Sequence, residues 1–302
     1  MKNKAIVVVG STNTDMVIKT SKLPLPGETI LGGEFLMNPG GKGANQAVAA
    51  ARLGGKVTLV AKTGEDIFGR QTKSLFESEN LDTEFLFSDS ESPSGIALIT
   101  VDSHAENCIV VAPGANARLV RQDIDLAAAA IQNAEIVLMQ LEIPLDTVIY
   151  ATEIAFKAGK KVILNPAPAQ PLPIELLEKL YMITPNETEA ELLTGIHVTD
   201  QISAESAARV LLGKGVQVVV VTLGNKGALL VTPDICKLIP GYQVEAIDTT
   251  AAGDCFNGAL AVAISEDAGL IKAVGFANKA ASISVTRMGA QASAPYRSEV
   301  EF

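Results

Sequence analysis

Ala5-Ile6-Val7-Val8-Val9-Gly10 is an unbroken run of apolar residues closed by a glycine. A strand wetted on one face alternates apolar with polar residues. A continuous Val/Ile run fits a strand buried on both faces, as in a parallel sheet covered by helices. Comparable runs recur at 57–63, 136–141, 161–165, 181–184 and 216–223. Helical periodicity fills 44–53, 68–79, 145–158, 187–193 and 204–213 between them. This alternation predicts an α/β protein, a three-layer α/β/α sandwich around a mostly parallel central sheet. At ~100–200 residues per domain the 302 residues fit one large unit or two small ones, and we read 1–302 as a single α/β domain.

Two stretches break the rhythm. Segments 16–20 with 29–37, and 94–102 with 106–112, alternate as half-exposed strands do, and Ser103-His104-Ala105-Glu106 joins the second pair as a hairpin turn. Inserted at about 13–38 and 94–112, they predict a small antiparallel β lid over the edge where the parallel strands end. The alternative is that they extend the main sheet. The Pro-rich stretch 166–173 suits a stiff loop.

Composition excludes several classes. Lys+Arg 24 against Asp+Glu 34 gives a net charge of −10, the wrong sign for a protein held to nucleic acid by phosphate contacts. Any anion must be bound by local geometry. Cys108, Cys236 and Cys255 are odd in number and widely spaced, against a disulfide framework or zinc site and in keeping with reduced thiols in the cytoplasm. The apolar stretch at the N-terminus is short for a signal peptide, and no run approaches the ~18 residues of a membrane span. With only His104 and His197, a catalytic base is expected to be a carboxylate.

Chemistry concentrates where glycines and small residues open helices. Asp248-Thr249-Thr250-Ala251-Ala252-Gly253-Asp254 precedes a small, apolar helical segment at 255–264. Small residues leave the first N–H groups of a helix uncovered, and those donors with the helix dipole suit a phosphate. Asp254 in that first turn is either a cap or a base acting on a hydroxyl beside the phosphate. The second cluster, Asn38-Pro39-Gly40-Gly41-Lys42-Gly43-Ala44-Asn45-Gln46, is neither a P-loop nor a dinucleotide fingerprint. Its glycines either let backbone approach a small ligand or only permit tight packing. Asn13 and Asp15 follow the first strand, Asp15 being a candidate for vicinal hydroxyls or an ordinary turn residue. Glu142 ends another strand as a hydroxyl acceptor or a terminating charge. Asn186 and Glu189 have the spacing of a capping box first and a cation-water site second.

Together these residues resemble the PfkB carbohydrate-kinase family. Gly40-Gly41-Lys42-Gly43-Ala44-Asn45 with Ala47, Gly54 and Gly64 matches one family signature, and 248–254 with Gly258-Ala259 the other. Residues 139–142, 165–169 and 183–191 extend the likeness over nearly the whole chain. The resemblance implies transfer of the γ-phosphate of ATP to the 5-hydroxyl of D-ribose, with Asp254 as base and Ala251, Ala252 and Gly253 as the anion hole. Other acceptors (deoxyribose, a nucleoside, fructose) and a non-catalytic sugar-binding role stay open. It assigns the sugar to Asn13, Asp15, Gly41, Lys42, Gly43, Asn45, Glu142 and Asp254. It assigns the nucleotide to Asn186, Glu189, Thr222, Leu223, Gly224, Asn225, Lys226, Gly227, Gly253 and Asn278. It also implies Mg²⁺ near Asn186 and Glu189, and K⁺ held by Asp248, Thr250, Ser284, Arg287, Gly289 and Ser293, mostly through carbonyls. A homodimer joined through the lid is implied too. Cys255 and Asn278 stand where a Thr and a His are familiar in that family.

Overall fold

The computed structural model describes residues 4–104 and 106–300. In chain order the elements are β1 (Ala5–Val9), β2 (Asn13–Lys19), β3 (Phe35–Gly40), α1 (Lys42–Arg52), β4 (Lys56–Gly64), α2 (Ile67–Ser78), β5 (Leu86–Asp89), β6 (Gly95–Val101) and β7 (Asn107–Ala112). There follow α3 (Arg121–Asn133), β8 (Ile136–Met139), α4 (Leu145–Lys157), β9 (Lys161–Leu164), α5 (Ile174–Leu177), β10 (Met182–Ile183), α6 (Glu187–Thr194) and α7 (Gln201–Gly213). The last are β11 (Val218–Thr222), β12 (Gly227–Val231), β13 (Cys236–Pro240), α8 (Ala252–Ser265) and α9 (Leu270–Ser284).

The main sheet runs β13-β12-β11-β10-β9-β8-β1-β4-β5. β1 lies inside it, parallel to β4 (Val7↔Thr58) and to β8 (Val7↔Val137). Its continuous apolar run has the physical reason anticipated. Ile6 and Val8 join one core with Val48 of α1, Leu260 of α8 and Val274 of α9. Val7 and Val9 join the other with Ile124 of α3, Val148 of α4 and Ala207 of α7. Because successive strand side chains point to opposite faces, two helical layers require apolar residues at every position. The three-layer α/β/α architecture is therefore present.

Four strands form a separate sheet in the order β3-β2-β6-β7, so the two excursions pair with each other and do not extend the main sheet. β2–β3 and β6–β7 are antiparallel pairs, but β2 and β6 run parallel from Asn13↔Gly95 to Lys19↔Val101. The expectation of a wholly antiparallel lid is corrected at that seam. Sequence alternation identifies strands but not the partner across a gap of 75 or so residues, where loop length exerts little control. β3 also starts at Phe35 and not at 29, after the Gly32-Gly33 pair. Ala105, inside the expected hairpin turn, lies outside the described residues, as do 1–3 and 301–302.

β5 and the antiparallel edge strands β12 and β13 add to the elements expected, as do α3, α5 and α9. Among the described residues no helix is long and apolar enough to cross a membrane. Cys108, Cys236 and Cys255 are free thiols.

Candidate active site

Parallel strands deliver their C-terminal ends to one edge of a sheet, and polar side chains gather there. Beyond β1 come Ser11 to Asp15, beyond β8 Gln140 and Glu142, beyond β9 Asn165, beyond β10 Thr184 to Glu189, and beyond β11 the turn 224–226. A cleft of about 570 Å³ opens at this edge, with Lys42, Asn186, Glu189, Thr222, Asp254 and Asn278 among its walls.

Asp254 stands in the first turn of α8 and is 6% exposed. A buried carboxylate is costly unless donors surround it. Asn45 Nδ2 donates to one oxygen and Gln46 Nε2 to the other, both at 2.9 Å. Burial still holds its pKa above the usual carboxylate range, against the opposing pull of Lys42 and of both amide donors. That direction suits a group that accepts a proton.

The start of α8 is shaped for an anion. Ala251, its N-cap, adopts φ 58°, a left-handed conformation unusual for a residue with a Cβ, and no side chain caps the helix. The Ala252 N–H goes to Thr249 O, and Cys255 N–H to Ala251 O. Among the described residues no acceptor takes the N–H of Gly253 or Asp254. A Cβ at Gly253 would meet nothing within 4 Å, and both Gly253 and Asp254 line the cleft.

Lys42 opens α1 on the other wall. Burial disfavours its charge, yet Asp254, Glu142, Glu189 and Asp15 together raise its pKa. Asp15, half-buried on β2, is pushed up to about 6 by burial and by Glu142 and Asp254, with Lys42 opposing. Asp15 sits over Gly40, where any Cβ would lie 2.2 Å from its carboxylate. Asn13 Oδ1 accepts from Asn116 Nδ2 at 2.8 Å, and Asn116 also bonds both backbone groups of Thr12. Glu142 accepts from Ser11 Oγ at 2.6 Å and from the Lys42 N–H at 3.0 Å. Gly41 (φ 87°) makes the turn into α1, and Gly43 packs on the Gly10–Ser11 backbone.

On the wall that the resemblance assigns to a nucleotide, Asn186 caps α6 by accepting from the Glu189 N–H, and Glu189 reciprocates on the Asn186 N–H: the spacing is a capping box. Burial raises the Glu189 pKa. Thr222, Gly224, Asn225 and Gly227 line the cleft, whereas Leu223 and Lys226 do not. Asn278 donates from Nδ2 to Ile239 O and Pro240 O, stitching α9 to β13. Tyr242, Val244, Ala281 and Val285 form an apolar stretch of the wall for which the loop sequence carries no periodic signal.

The proposed cation loops lie behind α8. Asp248 accepts from the Thr250 N–H at 2.9 Å and from the Gly289 N–H at 2.8 Å, tying the two loops together. Arg287 pairs with Glu299, and the Ser284 and Ser293 hydroxyls donate to Ala281 O and Ala290 O. Among the described residues no three His, Cys, Asp or Glu side chains are grouped to hold a metal.

Sequence reading gave no role to Ser11, Gln46, Asn116, Gln140, Asn165 or Asn257, although Gln46, Gln140 and Asn165 stand in stretches it quoted, because a neutral polar side chain that will be buried leaves no pattern in a sequence.

Known proteins resemble this chain over nearly its whole length. The profile of the pfkB family carbohydrate kinases matches residues 3–297. A ribokinase of Haemophilus influenzae is 47% identical, over 98% of this chain and 97% of its own length. A deoxyribokinase of Salmonella typhi is 40% identical over 96% and 95%. The structure of Arabidopsis thaliana ribokinase complexed with ribose and ATP superposes with a TM-score of 0.91 at 33% identity, covering 99% of this chain and 98% of that one. The chain belongs to the pfkB family of carbohydrate kinases.

Proposed function

We propose that the chain phosphorylates D-ribose at its 5-hydroxyl with ATP, giving ribose 5-phosphate and ADP. The observation that carries the reading is Asp254, a buried carboxylate with raised pKa, one residue after an open helix start and across from Lys42. Asp254 accepts the hydroxyl proton as the sugar oxygen bonds to the γ-phosphorus and the bond to ADP breaks. Of the anion hole expected at Ala251, Ala252 and Gly253, the Ala252 N–H is engaged by Thr249 O, so the N–H groups of Gly253 and Asp254, with Lys42, take up the charge on the transferring phosphate. Phosphoryl transfer depends on positioning and charge stabilisation, so one base and fixed donors suffice. In a chain of net charge −10, these donors hold ATP against the overall field.

Asn13, Asp15, Asn45 and Glu142 face the sugar in this reading. Asn45 Oδ1 is buried with no protein donor, an acceptor suited to a sugar hydroxyl. Glu189, with Asn186, would hold Mg²⁺ through water, as sites built on phosphates and one or two carboxylates do; bound there it supplies charge neutralisation along the phosphates. Asp248, Thr250 and Gly289 suit K⁺, since among the described residues no N–H is bonded to their carbonyl oxygens. The chain works as one catalytic unit, and its lid turns Ile18, Phe35, Met37, Leu98, Ile109 and Val111 to solvent, a surface for a homodimer. Three free thiols suit the cytoplasm.

The test is a coupled ATP assay with ribose and Mg²⁺ on wild type and Asp254→Asn. A loss of about 10²–10⁴-fold in kcat is expected for a general base. A mutant with near-wild-type kcat overturns the assignment. The deoxyribokinase relative supports a second reading, 2-deoxyribose as acceptor. Equal sugar concentrations compared side by side decide between them, a higher kcat/KM for deoxyribose favouring the second.

A further inference from the structure

A ring of largely buried hydrogen bonds, closed through the Gly253–Asp254 peptide, runs behind Asp254. Gln46 Nε2 donates to Asp254 Oδ1 at 2.9 Å and to Asn165 Oδ1 at 3.0 Å. Asn165 Nδ2 donates to Thr184 O at 3.3 Å, and Thr184 Oγ1 to Asn257 Oδ1 at 2.6 Å. Asn257 Nδ2 returns to Gly253 O at 2.8 Å. The ring thus starts on the carboxylate of Asp254 and ends on the carbonyl of the residue before it. Asp254, Thr184 O and Gly253 O are acceptors, which fixes the orientation of every amide between them. Gln140 Nε2 donates to Gln46 Oε1 at 2.6 Å, so all the polar groups of Gln46 are engaged.

We propose that Gln46 is a positioning residue, which locks the Asp254 carboxylate in register with the open peptide N–H groups at the start of α8. The inference rests on the reading of Asp254 as the base. Gln46 is fully buried and does not line the cleft, so it acts through Asp254 and touches neither substrate. It draws on four elements: α1 supplies the amide, the ends of β9 and β10 supply Asn165 and Thr184, and α8 supplies Asn257. A small error in the angle of a base is expensive in rate, and a ring anchored at both ends leaves the carboxylate one orientation. The charged or titratable groups facing Asp254 are Lys42 on α1, Asp15 on β2, Glu142 after β8, Glu189 on α6 and Cys255 beside it on α8. None of them belongs to the ring.

The test compares wild type, Gln46→Met, Gln140→Leu, Asp254→Asn and the double variant Gln46→Met with Asp254→Asn, in pH profiles of kcat with saturating ATP, Mg²⁺ and sugar. Methionine keeps the volume and removes both donors. Gln46→Met should lower kcat by ~10–10²-fold with little change in either KM. It should move the acid limb of kcat upward by about one pH unit, because the carboxylate loses a donor to its charged form. Gln140→Leu frees Gln46 Oε1 and should move the same limb by less. In the Asp254→Asn background Gln46→Met should have no further effect on kcat.

Should Gln46→Met fail to fold, Gln140→Leu carries the same readout. A fall in thermal stability with the acid limb unmoved in both variants, or a full extra loss in the double variant, overturns the positioning role. An Asp254→Asn enzyme that stays active overturns instead the base reading on which it rests.

Discussion

Helices α1 and α8 begin alike and end up differently employed. Both open at an N-cap of positive φ, Gly41 at φ 87° and Ala251 at φ 58°, and neither has a side-chain cap at that residue. At α1 every early donor is spent: Lys42 N–H on Glu142, Gly43 N–H on Ser11 Oγ, Ala44 N–H on Ser11 O and Asn45 N–H on Gly41 O. At α8 the donors of Gly253 and Asp254 find no acceptor among the described residues. A Cβ on Gly43 would lie 2.6 Å from Ser11 N, while one on Gly253 would meet open space. A glycine-rich helix start is therefore not a phosphate site by composition. It becomes one when the fold leaves its N–H groups without acceptors.

The sharpest way to break this contrast is to replace the glycine at each start. Gly253→Asp places a carboxylate before the open donors. It should reduce kcat/KM for ATP by ~10²-fold or more, since it occupies and repels where the phosphate binds. Its thermal stability should hold or rise, because an acidic residue in a first turn favours the helix. Gly43→Ala adds only a methyl yet should lower unfolding free energy by about 1–3 kcal/mol, measured by denaturant titration, because backbone must move. Equal stability effects at the two glycines would erase the distinction.

A pH experiment probes the crowd of carboxylates that α1 faces. With its pKa raised from 3.8 to about 6, Asp15 holds a proton in the folded state that the unfolded chain has released. Stability contributed through this group therefore falls as pH rises from about 4 to about 6. Asp15→Asn should be the more stable protein at pH 7. If its carboxylate holds sugar hydroxyls, the sugar KM of wild type should rise by up to ~10-fold per pH unit as pH falls below about 6, and Asp15→Asn should lose that rise. Smallest of all, Glu142→Gln weakens the charged acceptor shared by Ser11 and the Lys42 N–H, and should cost about 1 kcal/mol of stability.

Much of this was legible in the sequence, for reasons that can be named. The run at 5–10 disclosed a strand buried on both faces because Ile6 and Val8 serve one core while Val7 and Val9 serve the other. The place of Asp254 in a first turn was legible because small residues before a carboxylate at a helix start are a local pattern, whereas that pattern left cap and base open and only the family resemblance pointed to a base. The parallel β2–β6 seam was not, since pairing between distant segments is written in no local period. Nor was the ring from Gln46 to Asn257, whose members come from four separate elements and carry neutral amides. That the α1 glycines only permit tight packing was one of the two readings the sequence left open, but it could not choose between them, because the acceptors that close α1, Ser11 and Glu142, lie 32 and 100 residues from the N–H groups they satisfy.

The most direct test of the open helix start is a crystal structure with ribose, Mg²⁺ and a non-hydrolysable ATP analogue bound. The terminal phosphate is predicted on the N–H groups of Gly253 and Asp254, with the Asp254 carboxylate within hydrogen-bond reach of the sugar 5-hydroxyl. A terminal phosphate lodged elsewhere, with the Gly253 and Asp254 N–H groups still unspent, would contradict it.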